Sequence, residues 1–496
     1  MFILLLFLFI MLTSAFLILN CLKPYKFPPG PKWLPIIGCI LEFQKIRKKF
    51  GYTYLVFNEL TKKYGHILGL KLGSQKFVVV SGNNLIRKTL MRSEIHGRPD
   101  GFFFRVRAFG KRKGIVFADG PLWYRSKRNT IKYISHFGFG HGLGNKYLQE
   151  EAEILICHLK KKTLNGTKMI AMNKVFDIAV LNSLWILLAG YRFSYDDFKL
   201  ENILATVHEA FKSNDTLGGI ISHFPFLRFI IPELSGYTSL MKVLHKLWNF
   251  IDDEIENHLK EFQFNQPANN FIDAYLLESY DENSKQCLFD RKELIVICLD
   301  LFMAGSETTI DSLTAIFALL FHHPDWMKTL RNDLDTAVGH SIPTLNHIPA
   351  LPRIEAFLSE AMRVLVLAPL GLPHRTTENV SLEGYHIPKD TVILFNLHSA
   401  NNDESCWEKP EEFRPERFLD ENGRYHRRNE FIPFGLGKRR CLGEIMAKSL
   451  LFLFFTNVIH NFDLEIPKGH KLPPLDGIDG FLITPRPYFI NFMQRN

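Results

Sequence analysis

The chain has 496 residues, 46% of them hydrophobic, with 44 phenylalanines and a formal charge of +9. It is too long for one typical core, yet no linker, repeat or low-complexity tract divides it, so a single large apolar globular body is expected. The charge implies an acidic partner or an anionic membrane surface; its Lys/Arg pairs are scattered between apolar runs, which excludes the pattern of a nucleic-acid binder.

Met1 to Leu22 carries no charged residue and reads almost wholly as Phe, Ile and Leu. A bilayer core of about 30 Å needs about 20 apolar residues, so this run is long enough to span. A cleaved signal peptide is the alternative, but the usual basic start is missing. Lys23, Lys26, Lys32, Lys45, Arg47, Lys48 and Lys49 follow, and by the positive-inside rule they stay cytosolic. The sequons at Asn165, Asn214 and Asn379 are then unused. Phe27-Pro-Pro-Gly-Pro-Lys-Trp-Leu-Pro predicts a stiff extended segment that cannot continue a helix. Gly69 to Ser81 predicts two short strands about a Gly-Ser turn. The seven cysteines (Cys21, Cys39, Cys157, Cys287, Cys298, Cys406 and Cys441) form no framework, which points to a reducing compartment.

Phe102-Phe-Phe-Arg-Val-Arg-Ala-Phe-Gly is an aromatic patch with two arginines, and Trp123-Tyr-Arg-Ser-Lys-Arg follows on a predicted helix. From about Glu150 to Phe262 the pattern is helical. Within it, Leu217 to Leu234 sets Phe224, Phe226, Leu227, Phe229, Ile230 and Ile231 around two prolines, and predicts a loop that dips into a membrane. Arg291 to Phe321 predicts a long helix, with Leu294, Ile297, Leu301, Ala304 and Thr308 on one face. Inside it lies Ala304-Gly305-Ser306-Glu307-Thr308-Thr309. A mid-helix glycine costs about 1 kcal/mol against alanine, so it serves either close helix packing or room beside a ligand. Thr308 can bond back to the carbonyl of residue 304, and a hydroxyl beside a carboxylate makes a proton relay.

Glu360-Ala-Met-Arg363 places a carboxylate and a guanidinium on one helix face, which alone reads as a surface pair. Phe413-Arg-Pro-Glu-Arg417-Phe lies downstream. Last comes Phe431-Ile-Pro-Phe-Gly-Leu-Gly-Lys-Arg-Arg-Cys-Leu-Gly-Glu, with glycines at 435, 437 and 443 that allow tight turns and close approach of a flat partner. Cys441 sits where this loop enters a helix, and nearby N–H groups and guanidiniums favour a thiolate. A nucleophile, a buried structural cysteine and an axial thiolate to haem iron all remain open on these residues. Zinc would need several more ligands.

The string carrying Phe434, Gly437, Arg439, Cys441 and Gly443 resembles the haem-binding signature of the cytochromes P-450, the haem-thiolate monooxygenases. Ala304 to Thr309 is similar to that family's oxygen-activation motif, and Glu360–Arg363 with Phe413–Phe418 to its paired motifs. Ala368 to Arg375 resembles the strand that passes the haem edge, and the proline run resembles the hinge of microsomal members. The resemblance implies a mainly α fold with a small β region. It divides the chain into a transmembrane signal anchor (1–22), a proline-rich hinge (23–38) and a haem-thiolate monooxygenase domain (39–496).

By the same resemblance, haem b (iron protoporphyrin IX) is bound with Cys441 as the metal ligand. Arg439 meets a propionate, and Phe434 shields the sulfur. Thr308 and Glu307 deliver protons, with Ala304 and Gly305 making room. Family members often carry Trp-x-x-x-Arg at the early helix; here Trp123 is followed by Lys127, a departure that loses the bidentate fork. His374 or Arg375 meets a propionate, Leu370 and Leu372 face substrate, and Glu360, Arg363 and Arg417 form a buried network bracing the cysteine loop. Electrons come from NADPH through NADPH–cytochrome reductase, with cytochrome b5 a further partner. The basic stretches 111–113, 125–132 and 438–440 are candidate docking surfaces. The setting implied is the endoplasmic reticulum membrane, with the catalytic domain facing the cytosol and a small lipophilic substrate.

Pro28–Gly38, Gly97–Arg105 and Pro369–Val380 look most like insect microsomal members, in the group that includes juvenile-hormone epoxidases. The expectation is epoxidation of farnesoic acid or methyl farnesoate. Phe102, Phe103, Phe104, Phe109, Leu301, Phe302, Leu370, Leu372 and Phe481 are the candidate lining, and Arg105 or Arg107 would hold a carboxylate. Broad xenobiotic, ecdysteroid or fatty-acid hydroxylation is the alternative. A thiolate-haem isomerase or dehydratase and a haem sensor are rivals that would have no use for Glu307 and Thr308.

Overall fold

The apolar N-terminal run forms one helix, α1 (Phe2–Cys21), with none of its residues buried against the rest of the chain. Its 20 residues rise about 30 Å, the thickness of a bilayer core. Its last turn is fastened to the body. Asn20 Oδ1 accepts from Ile36 N at 2.9 Å and from Lys71 Nζ at 2.7 Å, and Lys71 also donates to the Asn20 carbonyl. The segment after α1 is therefore braced against the body at Ile36 and Lys71. This computed structural model describes all residues except 138–141, 164, 165, 167, 214, 215, 282–285, 288 and 496; the sequons at Asn165 and Asn214 lie outside the described residues.

The two larger sheets use seven strands: β1 (Ile67–Leu72), β2 (Gln75–Val80), β3 (Ile170–Ala171), β4 (His374–Arg375), β5 (Val392–Phe395), β6 (Phe462–Glu465) and β7 (Phe489–Gln494). The expected hairpin is β1–β2, with Leu72 opposite Gln75 and Gly73 turning at φ +59°. The four-stranded sheet runs β1-β2-β5-β4, with β2 parallel and β4 antiparallel to β5. Val78, Val79 and Val80 are all fully buried, as a strand covered on both faces requires. The three-stranded sheet runs β6-β7-β3.

Most of the mass is helical. The helices that build the site are α2 (Phe102–Val106), α3 (Gly120–His136), α4 (Asp177–Ala189), α5 (Phe198–Ser213), α6 (Leu227–Ile230), α7 (Tyr237–Glu261), α8 (Arg291–His322), α9 (Pro352–Leu365) and α10 (Glu444–Asn461). The long helix predicted from Arg291 is α8. Asp290 caps it by accepting from Glu293 N at 3.0 Å, with a glutamate at the third position as a capping box prefers. Buried side chains surround nearly its whole length, so it crosses the core instead of lying on it. Phe317 of α8 stacks on Phe176 and meets Phe455 of α10 at 5.3 Å, and Phe455 in turn stacks on Phe357 of α9. Rings from four distant segments thus fix α8 against the helix that follows Cys441.

Candidate functional site

The glycine-rich loop closes on itself: Cys441 N donates to the Phe434 carbonyl at 2.9 Å, and Gly435 and Gly437 both take positive φ. Gly437 is needed for packing, because a Cβ there would stand 2.5 Å from the Leu90 carbonyl. A Cβ at Gly435 or Gly443 would meet no protein atom within 4 Å. Close approach to a flat partner is thus open at Gly435 and Gly443, while Gly437 serves the contact with Leu90. The Cys441 side chain is accessible, yet enough protein surrounds it that burial pushes its thiol up.

Arg440 and the Gly443 backbone favour the thiolate as expected, but burial outweighs them. Arg440 is paired with Glu444 at 2.6 Å. Arg439 lies 3.6 Å over the Trp123 ring and donates to the carbonyls of His96, Ile115 and Ala118. A metal bound here would tip the balance, since it deprotonates a coordinating thiol outright.

The Arg439 site is crowded with positive charge. Arg98, which the sequence reading had not singled out, is buried and donates to the carbonyls of Val116, Leu372 and Pro373. Burial and the neighbouring Arg439 push its guanidinium well down. Arg439 is pushed down to about 10, chiefly by burial. His374 is buried beside them, donating Nδ1–H to the Ile95 carbonyl, and it too is pushed well down by burial and by Arg98. Lys127 reaches the Lys438 carbonyl at 2.6 Å and lies over Trp123. The nearby carboxylate is Asp119, bonded to Arg112 and, at 2.7 Å, to Arg375. Arg375 is also paired with Asp390, so two carboxylates already hold it. Arg375 also donates to the Arg98 carbonyl at 2.9 Å, so both His374 and Arg375 border the cluster. An arginine before a proline reads locally as an ordinary loop residue, so nothing flagged Arg98.

These residues fit haem. Among the described residues no group of three or more His, Cys, Asp and Glu could hold a free metal ion, so a lone cysteine suits an iron that brings its other ligands with it. The buried cations outnumber Asp119, and two propionates would balance them.

On α8, Thr308 Oγ1 donates to the Ala304 carbonyl at 2.7 Å, as its place in the helix predicts. Ala304 is exposed and Thr308 half-exposed, although the helix around them is buried. Gly305 points elsewhere: a Cβ there would stand 3.0 Å from Leu184 of α4. Gly305 allows helix packing and does not make room beside a ligand. Glu307 is buried and contacts His208 of α5 at 2.5 Å, a partner 99 residues away with no local signature.

Glu360, Arg363 and Arg417 meet as a buried cluster. Arg363 grips both Glu360 oxygens at 2.7 and 2.8 Å, and Arg417 Nε reaches Glu360 Oε1 at 3.3 Å. Arg363 also donates to the carbonyls of Asn401 and Glu412, and Arg417 to those of Glu408 and Lys409. Phe418, next to Arg417, packs edge-on against Phe431 at 5.0 Å, which carries the cluster to the first residue of the cysteine loop.

On the substrate side several expectations change. Phe104, Phe302 and Leu370 are core residues, Phe302 packing on Trp185 and Phe250. Arg105 is paired with Asp100 at 2.5 Å, and Arg107 with buried Asp300 at 2.5 Å. Asp300 also accepts from the backbone of Ile115 and Val116, so Arg107 staples the loop after α2 to α8. Neither arginine is spare for a substrate carboxylate. Of the basic stretch 111–113, Arg112 is taken by Asp119 and Lys113 by Asp290. Arg125, Arg128 and Lys438 stay exposed around α3 and the cysteine loop.

The family model for cytochrome P-450 matches residues 28–492. A farnesoate epoxidase of Bombyx mori is 37% identical over 472 residues, 95% of this chain and 94% of that one. A probable cytochrome P-450 303a1 of Drosophila melanogaster is 34% identical over 486 residues, 95% of each chain. The cytochrome P-450 2B19 of Mus musculus is 31% identical over 476 residues, 95% of this chain and 94% of that one. With the thiol, the buried cations and the Thr308 face in place, the chain belongs to the cytochrome P-450 family, a class of haem-thiolate monooxygenases.

Proposed function

We propose that this chain is a membrane-anchored monooxygenase of the endoplasmic reticulum that epoxidises a farnesoid acid or ester. Residues 1–22 serve as anchor, 23–38 as hinge and 39–496 as the catalytic domain facing the cytosol. The single observation that carries the monooxygenase reading is that an accessible Cys441 at the end of a glycine-rich loop stands in the same chain as Thr308 on an exposed patch of a buried helix. Haem, when bound, supplies the iron at which one oxygen atom of O2 is transferred and the other leaves as water. Cys441 would supply its thiolate ligand, and Arg98, Arg439, Lys127 and His374 would balance its propionates, with Trp123 packed against Arg439. Glu307 and Thr308 pass the protons. Electrons come from NADPH through a reductase, with cytochrome b5 a further donor, docking on the basic face of Arg125, Arg128 and Lys438.

Thr308→Ala should keep haem and substrate binding but waste NADPH as peroxide. General acid–base help contributes about 10²–10⁴-fold, so product per NADPH should drop by at least about tenfold. Unchanged coupling would remove Thr308 from proton delivery.

The membrane face is supported by a chain of contacts from the anchor. Asn20 bonds Ile36, the Ile37 carbonyl accepts from Gly73, and Gly73 packs against the backbone of His223. The loop beginning there carries Phe226, Phe229, Ile230 and Leu234 exposed, Phe229 at 76% and Leu234 at 81%, while Leu217 and Ile221 are buried. Burying a Phe or Leu side chain gains about 1.5–3 kcal/mol. Deleting Met1–Leu22 should therefore leave a folded haem protein that still sediments partly with membranes. Adding Phe229→Asp and Leu234→Asp should release it; a truncated chain already wholly soluble at low salt would contradict this role.

The likeness to a farnesoate epoxidase supports the substrate class, as does an apolar candidate lining in which Phe102, Phe103, Phe109, Leu301 and Phe481 remain half-buried. Each buried CH₂ contributes about 0.8 kcal/mol, enough for a farnesyl-length chain to bind through hydrocarbon alone. With Arg105 and Arg107 both occupied, acid and ester are expected to bind alike as far as those arginines are concerned. The test is epoxide formation from farnesoic acid and from methyl farnesoate with reductase and NADPH. No epoxide from either, with turnover of unrelated lipophiles, would favour broad detoxification.

A further inference from the structure

A buried ionic cluster joins three helices behind Thr308. His208, on α5, presents Nδ1 to Glu307 Oε2 of α8 at 2.5 Å and Nε2 to Asp177 Oδ2, the first residue of α4, at 3.4 Å. Exposure rises along the series: the side chain of Glu307 is 1% exposed, that of Asp177 14% and that of His208 23%. We propose that His208 is the point at which protons from solvent enter the Glu307–Thr308 pair, taking a proton on the Asp177 side and releasing one to Glu307. The proposal rests on the proton-delivery reading of Glu307 and Thr308 given above.

Imidazole suits this place because it can gain a proton on one ring nitrogen and lose one from the other. Here the two nitrogens face different carboxylates, one sealed and one near solvent. The imidazolium gives its Nδ1 proton to Glu307 Oε2 and keeps the one on Nε2; the ring then turns toward the Asp177 side, where the vacated Nδ1 takes a proton from water, and on turning back His208 is again an imidazolium. Glu307 Oε1 is buried without a hydrogen bond, so nothing ties that side of the carboxyl, which can turn and present the proton received on Oε2 toward the neighbouring Thr308. The other groups facing the cluster are Asp311, one turn along α8, Lys212 on α5 and Thr484. Burial and the charge of Glu307 push the Asp311 carboxyl well up, which leaves Glu307 as the acceptor His208 serves. Burial alone would lower the His208 imidazolium, but hydrogen bonds to Asp177 and Glu307 outweigh it and push it up to about 10. His208 therefore rests charged and loaded.

The bland alternative is a fixed counter-ion for a buried carboxylate. His208→Arg separates the two, because a guanidinium keeps the charge but is not deprotonated in proteins. In the full-length haem protein with reductase, His208→Arg should keep haem content and melting temperature. Product per NADPH should fall at least fivefold, the solvent deuterium effect on kcat should rise, and kcat should stop varying with pH over the range in which wild type varies. His208→Gln, which keeps shape without charge, should lose coupling as well. Coupling and isotope effect unchanged in His208→Arg would overturn the proposal. A readout independent of turnover is the ring signal of His208 by NMR, expected to titrate near pH 10 and to move down in Glu307→Gln; titration at the ordinary histidine value in wild type would also overturn it. Thr308→Ala is the control: if it stays coupled, the proton-delivery reading itself fails, whereas uncoupled Thr308→Ala beside coupled His208→Arg sinks only the role of His208.

Discussion

Glu360→Ala is expected to abolish haem incorporation and to lower the stability of the domain by roughly 3–5 kcal/mol, the cost of stripping one partner from a buried ion pair. The loss is large because Glu360 is the one acid that Arg363 and Arg417 share, and it also accepts from the Arg414 backbone at 2.9 Å. Without it two guanidiniums stay buried, satisfied only by carbonyls. Net stabilities of domains are about 5–15 kcal/mol, so a third or more of the total is at stake. Glu360→Gln, which keeps an acceptor but not the charge, should fall between. Thermal unfolding and haem content per chain are the measurements. A variant that melts like the wild type and holds full haem would separate this cluster from the loop it braces.

Cys441→Ala is expected to remove monooxygenase activity and the red-shifted Soret band of the reduced, CO-bound protein, since no other thiol lies in the loop. Its fold should persist, because Cys441 makes a backbone bond to Phe434 that alanine keeps. A CO spectrum unchanged from wild type would place the ligand elsewhere. Haem-free wild type addresses the origin of the thiolate: the protein alone pushes the Cys441 thiol up by burial, so the reactivity toward a thiol reagent that Cys441→Ala removes should be that of an ordinary, slow thiol.

The strings around Cys441, Thr308 and Glu360 were readable because each packs its chemistry into a few residues. The role of Gly305, open between helix packing and room beside a ligand, and that of the arginines of the aromatic patch are not written locally, for a common reason. Their partners, Leu184, Asp100 and Asp300, belong to no shared motif, and only Asp100 lies near in sequence. Arg105 and Arg107 look free to meet a substrate until those carboxylates are placed beside them.

The apolar N-terminal helix, the hairpin at Gly73, the length of α8 and the Thr308 back-bond are all written locally, because each follows from periodicity, turn chemistry or neighbours within one turn of chain. Only the tertiary structure decided which charges are spent and which are spare. It placed Arg98 with Arg439 and His374, set Arg375 between Asp119 and Asp390, and brought His208 onto Glu307. An ion pair is worth little in water and much more where water is excluded. The charge balance of the site is therefore settled by packing over hundreds of residues, and no local pattern in the chain records it.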